Sequence, residues 1–310
     1  MRQLTESDVQ LQLDPVRLID ALAVAFRDRF ESVVLPPRVY VETNPGLFLI
    51  MTCYDGKGSA LGMKFVAVQK APKRGDERIQ ATYVLFDPAT ARPELTVPAN
   101  YLTDLRTAAT SALATRWLAR ADVQVLGIFG TGRQACAHLR VLPLVRGFQR
   151  VMVCGRDRDR TRAFVQAAAI ETDLPIEAVD AETCAAQSDV ICTCTNSVTP
   201  LFNGRLLRPG THLNLVGAFQ PKTREVDSLA IERARIVVDT YEGAMSEAGD
   251  LLIPLAERRI SREHILADLH ELAAGKRRVL PDCRNITVFK SVGCALEDLV
   301  AAELLLAAQS

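Results

Sequence analysis

Val125-Leu126-Gly127-Ile128-Phe129-Gly130-Thr131-Gly132-Arg133-Gln134-Ala135 opens as an apolar strand and ends as the start of a helix. Between them Gly130, Gly132 and Ala135 form a G-x-G-x-x-A pattern. Glycines at these places permit a tight turn, and they let backbone N–H groups approach a pyrophosphate resting on the positive end of a helix. The pattern alone is weak; strand, glycine turn, helix and second strand together give it meaning. The run Gly130, Thr131, Gly132, Arg133 and Gln134 is therefore expected to hold a dinucleotide.

Around this loop, short β-branched runs alternate with helical stretches, the signature of βαβ units and a parallel sheet. The predicted strands are Val123–Gly130, Arg150–Gly155, Ile176–Val179, Asp189–Thr195, His212–Ala218, Arg235–Asp239 and Thr287–Phe289. In such a fold the end of the second strand reads the adenosine ribose, with an acid for NAD or an arginine for a 2′-phosphate. Here it reads Val153-Cys154-Gly155-Arg156-Asp157. A guanidinium suits a phosphate dianion, so Arg156 favours NADPH, while the adjacent Asp157 leaves NADH open.

Upstream the rhythm differs. Asp14-Pro15, followed by Val16, Ile19, Leu22, Ala23, Phe26 and Phe30, predicts a capped amphipathic helix with proline at its first position. Strand-like runs follow at Arg38–Glu42, Leu47–Tyr54, Ala60–Gln69 and Gln80–Phe86, with Asp55-Gly56 as a hairpin turn. This half reads as α+β with a mostly antiparallel sheet. Leu105–Leu118 predicts a helix that crosses into the parallel half, and Cys294–Ala308 a final apolar helix that either returns to the first domain or packs in a dimer.

The totals are consistent with two domains in 310 residues. Lys plus Arg and Asp plus Glu both number 37, so no overall field recruits nucleic acid or anionic membrane. MRQLTESDVQ lacks a basic flank followed by an apolar core, and no stretch nears the roughly 18 apolar residues of a membrane span; a cytoplasmic location is expected. Eight cysteines are scattered without C-x-x-C pairs, and the four histidines show no ligand spacing, so no metal site is expected. Cys192 and Cys194 share one strand face as small hydrophobes.

Three cations stand in apolar settings: Arg38 in Leu-Pro-Pro-Arg-Val-Tyr-Val, Lys64 in Leu-Gly-Met-Lys-Phe-Val-Ala-Val, and Arg106 in Thr-Asp-Leu-Arg-Thr-Ala-Ala-Thr. Such residues are seldom buried unless an anion compensates them. Internal salt bridges or exposure account for any one alone; three together in a dinucleotide-binding chain favour a bound carboxylate or phosphate.

These residues resemble the ornithine cyclodeaminase/mu-crystallin family over nearly the whole chain. The marks are Lys64, Leu105-Arg106-Thr107-Ala108-Ala109, Gly130-x-Gly132, Pro209-Gly210-x-His212-x-Asn214-x-Val216-Gly217-Ala218, Arg224-Glu225-x-Asp227, Gly249-Asp250, Val288-Phe289-Lys290-Ser291-Val292-Gly293 and Glu297-Asp298. The resemblance implies a homodimer and an α/β architecture: a Rossmann dinucleotide-binding domain, 119–289, plus an α+β substrate and dimerisation domain formed from both chain ends, 1–118 and 290–310. It implies that Arg38, Lys64 and Arg106 surround a substrate carboxylate and the nicotinamide side of the cofactor, and that Thr195 and Ser291 lie beside the cofactor.

The family holds cyclodeaminases, amino-acid dehydrogenases, ketimine reductases and NADPH-binding crystallins, so membership does not fix the reaction. Where its cyclodeaminases carry an aspartate, after Val-Gly-x and before a proline, this chain reads Val216-Gly217-Ala218-Phe219-Gln220-Pro221. Releasing ammonia and closing a ring needs a carboxylate to handle protons, which Phe219 cannot supply. An apolar wall suits a preformed cyclic imine. The expectation is an NAD(P)H-dependent ketimine reductase taking 1-pyrroline-2-carboxylate to L-proline, and also 1-piperideine-2-carboxylate to L-pipecolate, with Lys64 as the candidate proton donor. Its rivals are an ornithine cyclodeaminase, an alanine dehydrogenase and a non-catalytic NADPH-binding protein. A structural role is expected for Asp227.

Overall fold

The computed structural model describes residues 1–44, 46–58, 60–71 and 77–308. It divides into two compact units, Met1–Arg106 with Cys294–Ser310, and Thr107–Gly293. The sequence reading places the divisions at 118/119 and 289/290 instead, and its final residues Gln309 and Ser310 lie outside the described set.

The first unit opens with β1 (Arg2–Gln3), α1 (Glu6–Gln12) and α2 (Pro15–Asp28). Asp14 accepts the Arg17 N–H at 2.7 Å, so α2 begins as predicted, with Pro15 where a helix needs no donor. It buries Leu18, Ile19, Leu22, Ala25 and Phe26. After β2 (Val33–Val34) and β3 (Val39–Thr43), the strands β4 (Gly46–Asp55), β5 (Ala60–Gln69), β6 (Ile79–Asp87) and β7 (Arg92–Pro98) form an antiparallel meander. β2 and β3 pair with β4, and β1 joins β7 in parallel. The hairpin after Asp55 is longer than a two-residue turn. The Asp55 carboxylate is buried there, accepting the Lys57 N–H at 2.9 Å and pairing with Arg29.

Four strands add to those expected: the two-residue β1 and β2, β7, and an edge strand of the second unit. β7 escapes the sequence because Pro93 and Pro98 lie within it; Pro93 is tolerated where the register with β6 shifts, at Leu85/Phe86. A short edge strand of the second unit, given below as β14, was likewise not anticipated.

Helix α3 (Asn100–Leu118) starts in the first unit and ends in the second. Its later turns belong to the parallel sheet: Asn214 Nδ2 donates to Thr115 Oγ1 at 2.9 Å, and Thr287 Oγ1 donates to the Leu118 carbonyl at 3.0 Å. That bonding puts the division inside the helix rather than after it.

The second unit runs β8 (Val125–Phe129), α4 (Arg133–Val141), β9 (Arg150–Cys154), α5 (Arg158–Glu171), β10 (Ile176–Ala178), α6 (Ala181–Gln187), β11 (Val190–Thr193) and β12 (His212–Leu215). It continues through α7 (Ser228–Glu232), β13 (Ala234–Val238), α8 (Tyr241–Glu247), α9 (Gly249–Ala256), β14 (Ile265–Asp268), α10 (Leu269–Ala273) and β15 (Ile286–Lys290). All strands are parallel, in the order β10-β9-β8-β11-β12-β15-β13-β14. β8, β11, β12 and β15 are buried throughout, as strands covered on both faces must be. From β8 the chain builds outward to β9 and β10, then returns to β11 on the other side. Ligands bind at such a reversal in strand order.

The last helix, α11 (Ala295–Ala307), belongs to the first unit, where it packs on β4, β5, β6 and α2. It buries Leu296, Leu299, Val300 and Leu305, each contributing roughly 1.5–3 kcal/mol. The expected α/β class, a Rossmann-type sheet with an α+β companion, is the one observed.

Candidate functional site

At the reversal between β8 and β11 lies a groove of about 1010 Å³. Its floor is the loop between β8 and α4. Gly130 adopts φ +123°, and a Cβ there would lie 2.5 Å from the Cys194 carbonyl oxygen. Only glycine fits. Gly132 differs, because a Cβ on it would meet no protein atom within 4 Å. Packing does not require a glycine there; the missing side chain leaves open space beside the backbone, which is what close approach of a ligand calls for. Gly132 precedes α4, whose first intrahelical bond runs from the Cys136 N–H to the Gly132 carbonyl. Residues Arg133 and Gln134 thus supply first-turn N–H groups facing the positive helix end, while Thr131 lines the groove wall. A pyrophosphate fits this floor.

One end of the groove is basic. Arg156, Arg158, Arg160 and Arg162 line it. Asp157 caps α5, its Oδ1 accepting the N–H groups of Asp159 and Arg160 at 3.0 Å each. The acid next to Arg156 is therefore engaged by the helix.

The other end is formed by Cys194, Thr195, Asn196 and Ser197, just past β11. Beneath it lies a buried polar network. Glu225 Oε1 accepts the Thr195 N–H and hydroxyl, both at 2.7 Å. Its Oε2 accepts the Thr193 hydroxyl at 2.7 Å and the Gly217 N–H at 2.8 Å. Burial and Asp250 push the Glu225 carboxyl up, against Lys290 and the threonine hydroxyls; four donors favour the carboxylate. Asp250 Oδ1 accepts the N–H groups of Glu225 and Val226, and its Oδ2 takes Lys290 Nζ at 2.9 Å. Lys290 also donates to the Ala218 carbonyl at 2.5 Å. All three charged residues are fully buried.

The first unit holds the cations. Lys64, on β5, is 2% exposed, and its Nζ donates to Asp298 Oδ1 at 2.8 Å, with Oδ2 at 2.7 Å. Arg106 is also buried, donating from Nε to Asp298 Oδ1 at 3.0 Å and from Nη1 to Glu297 Oε2 at 2.5 Å. Burial, with Arg106 and Arg38 nearby, lowers Lys64 to about 8 despite Asp298. Burial pushes Asp298 up, but Arg106, Lys64 and Arg38 more than reverse this and hold it below the ordinary range. Arg106 loses by burial and gains more from Asp298 and Glu297.

Internal carboxylates thus hold two of these cations, the salt-bridge alternative that the sequence leaves open beside a bound ligand. Lys64 and Arg106 already have internal carboxylates, because a charge taken out of water must be paired within the fold. The partners are two adjacent residues, Glu297 and Asp298, in the first turn of α11. They stand out in the sequence as adjacent acids at the start of a helix rich in alanine and leucine. Arg38 is half-buried just before β3 and acts on the same cluster through its charge.

Other expected residues fall elsewhere. Ser291 does not line the groove; its hydroxyl donates to Asp239 Oδ2 at 2.9 Å. Phe219 follows β12 in a loop and is 36% exposed. Asp227 caps α7 through the Ala230 N–H at 2.8 Å and holds the Gly204 N–H at 2.9 Å, the structural role expected of it. Cys194 lies just beyond β11 rather than within it. Among the described residues no helix is long and apolar enough to cross a membrane.

Comparison with known proteins places these features in a lineage. A solved structure of Thermococcus litoralis delta(1)-pyrroline-2-carboxylate reductase, in complex with NADH and L-proline, superposes with a TM-score of 0.95 at 32% identity, over 99% of this chain and 97% of that one. A Bacillus cereus delta(1)-pyrroline-2-carboxylate reductase is 36% identical over 260 residues, 83% of this chain and 80% of the relative. The ketimine reductase mu-crystallin of Rattus norvegicus is 33% identical over 276 residues, 88% of this chain and 84% of its own length. The model of the ornithine cyclodeaminase/mu-crystallin family matches residues 1–308, and the chain belongs to that family.

Proposed function

We propose that this protein reduces a cyclic ketimine carboxylate, 1-pyrroline-2-carboxylate to L-proline, and takes the six-membered 1-piperideine-2-carboxylate to L-pipecolate as well. A nicotinamide dinucleotide, when bound, supplies the hydride. The residues for holding it are Gly130, Thr131 and Gly132, the first-turn amides at Arg133 and Gln134, Arg156 and Thr195, with Arg106 and Ser291 assigned to it on family resemblance alone.

The observation that carries the reading is Lys64. Its ammonium is buried, fixed by Asp298 and lowered to about 8, so it is protonated at neutral pH yet acidic enough to give its proton up. With Arg38 and Arg106 it forms a cluster of cations bearing on one another, suited to a substrate carboxylate. Reduction adds one hydride to carbon and one proton to nitrogen; Lys64 supplies the proton when the imine arrives neutral. Phe219 is assigned the apolar surface for the ring, and the acids that follow it along the chain are engaged: Glu225 accepts from Thr193, Thr195 and Gly217, and Asp227 caps α7. That leaves the Phe219 loop without the carboxylate a cyclodeaminase needs.

NADPH is the proposed preference. Arg156 lines the basic end of the groove, and Asp157 is turned to its helix cap. A homodimer is proposed too, on the family's pattern and on exposed apolar side chains of the first unit such as Val34, Val39, Val41 and Tyr54.

Four measurements test this. NADPH should be oxidised rapidly with 1-pyrroline-2-carboxylate, and ornithine with NAD+ should release no ammonia; ammonia and proline from ornithine would make the protein a cyclodeaminase. In the reductive direction kcat should fall as pH rises through about 8, where Lys64 loses its proton, and Lys64→Met should lower kcat by about a hundredfold and abolish that limb. Normal turnover in Lys64→Met removes the proton-donor assignment. Arg156→Ala should raise KM for NADPH by about tenfold while leaving KM for NADH near its starting value, and equal changes for both cofactors would refute the preference. Light scattering should give twice the chain mass; a monomer at micromolar concentration contradicts the dimer.

A further inference from the structure

The Lys290–Asp250–Glu225 network has no part in the chemistry proposed above, yet it fixes a group that faces the groove. A threonine hydroxyl has one proton to donate and two lone pairs with which to accept. At Thr195 the proton goes to Glu225 Oε1, because a carboxylate cannot donate in return. One lone pair takes the Ser197 N–H at 3.1 Å. What remains at Thr195, a half-buried residue lining the groove, is the capacity to accept.

The arrangement is rigid. Gly217 cannot be replaced, since a Cβ there would lie 2.2 Å from the Thr195 carbonyl oxygen and 2.4 Å from Glu225 Oε1. Glu225 is held from behind by Asp250, and Asp250 by Lys290. The hydroxyl cannot turn its proton outward without leaving Glu225 short of a donor in a buried setting.

A dinucleotide laid from the basic end near β9, across the glycine loop after β8, brings its second half to β11. That half carries one group whose nitrogen only donates, the amino group of the nicotinamide carboxamide. We propose that Thr195, locked as an acceptor by Glu225, recognises that amino group, and that Glu225 is the positioning residue for it, held in place by Asp250 and Lys290. The contact fixes the rotation of the ring and thereby the face it presents.

This rests on the dinucleotide reading, and calorimetric titration separates the two. The probes are NADP+, its thionicotinamide analogue, which keeps the amino group, and its 3-acetylpyridine analogue, in which a methyl replaces it. The wild-type protein should bind the thionicotinamide analogue within about threefold of NADP+ and the acetylpyridine analogue about tenfold more weakly, the loss expected for one buried hydrogen bond with an unpaired partner. Thr195→Val should bring all three within about twofold of one another, and Glu225→Gln, whose amide donates to Thr195 and frees its proton, should also narrow the gap. Equal binding of NADP+ and the acetylpyridine analogue by the wild type overturns the proposal, as does a tenfold gap that persists in Thr195→Val. Binding of none of the three overturns the dinucleotide reading itself, and this proposal with it.

Discussion

An ammonium group sealed from water must be matched by a carboxylate or give up its proton, and Lys64 sets that condition for the whole first unit. It sits on β5 with almost no exposure, and Arg106 adds a second buried cation. Both charges are answered by Glu297 and Asp298 on α11. The last helix is therefore bound to the first unit by charge as well as by its leucines. A buried pair of this kind is weak evidence of stability in itself; what it does is penalise any arrangement that separates the partners. The same pairing leaves Lys64 poised, since burial lowers it while Asp298 keeps it from falling further.

The second unit obeys a parallel rule with the signs reversed. Glu225 and Asp250 are buried carboxylates, and every oxygen of Glu225 is turned to a hydroxyl or amide at the ends of β11 and β12. Charge here organises the rim of the groove, whereas the floor is organised by backbone: Gly130 by its positive φ, and Gly132 by the space beside it. Backbone shapes the floor and buried charge stiffens the rim, through separate residues.

Local chemistry was legible in the sequence, and long-range pairing was not. The glycine loop is encoded in eleven consecutive residues from Val125 to Ala135, and α2 announces itself with Asp14-Pro15, because turn and cap geometry depend on near neighbours. β7 was hidden by Pro93 and Pro98, and β14 by its brevity at a sheet edge. The partners of Lys64 and Arg106 could not be read, since Asp298 lies 234 residues from Lys64 and 192 from Arg106. No spacing rule connects such positions; only the docking of α11 does. Glu225 and Lys290 were visible as marks of the family, but their task required seeing which loops they tie.

The most direct test of this account is the titration of Lys64 itself, followed by NMR of its side-chain nitrogen in lysine-labelled protein and assigned with Lys64→Arg. A midpoint near 8 is predicted, set by burial beside Arg106 and Arg38 against Asp298. A midpoint near the ordinary 10.5 would mean that the group is solvated, and the description of the cation cluster would be wrong.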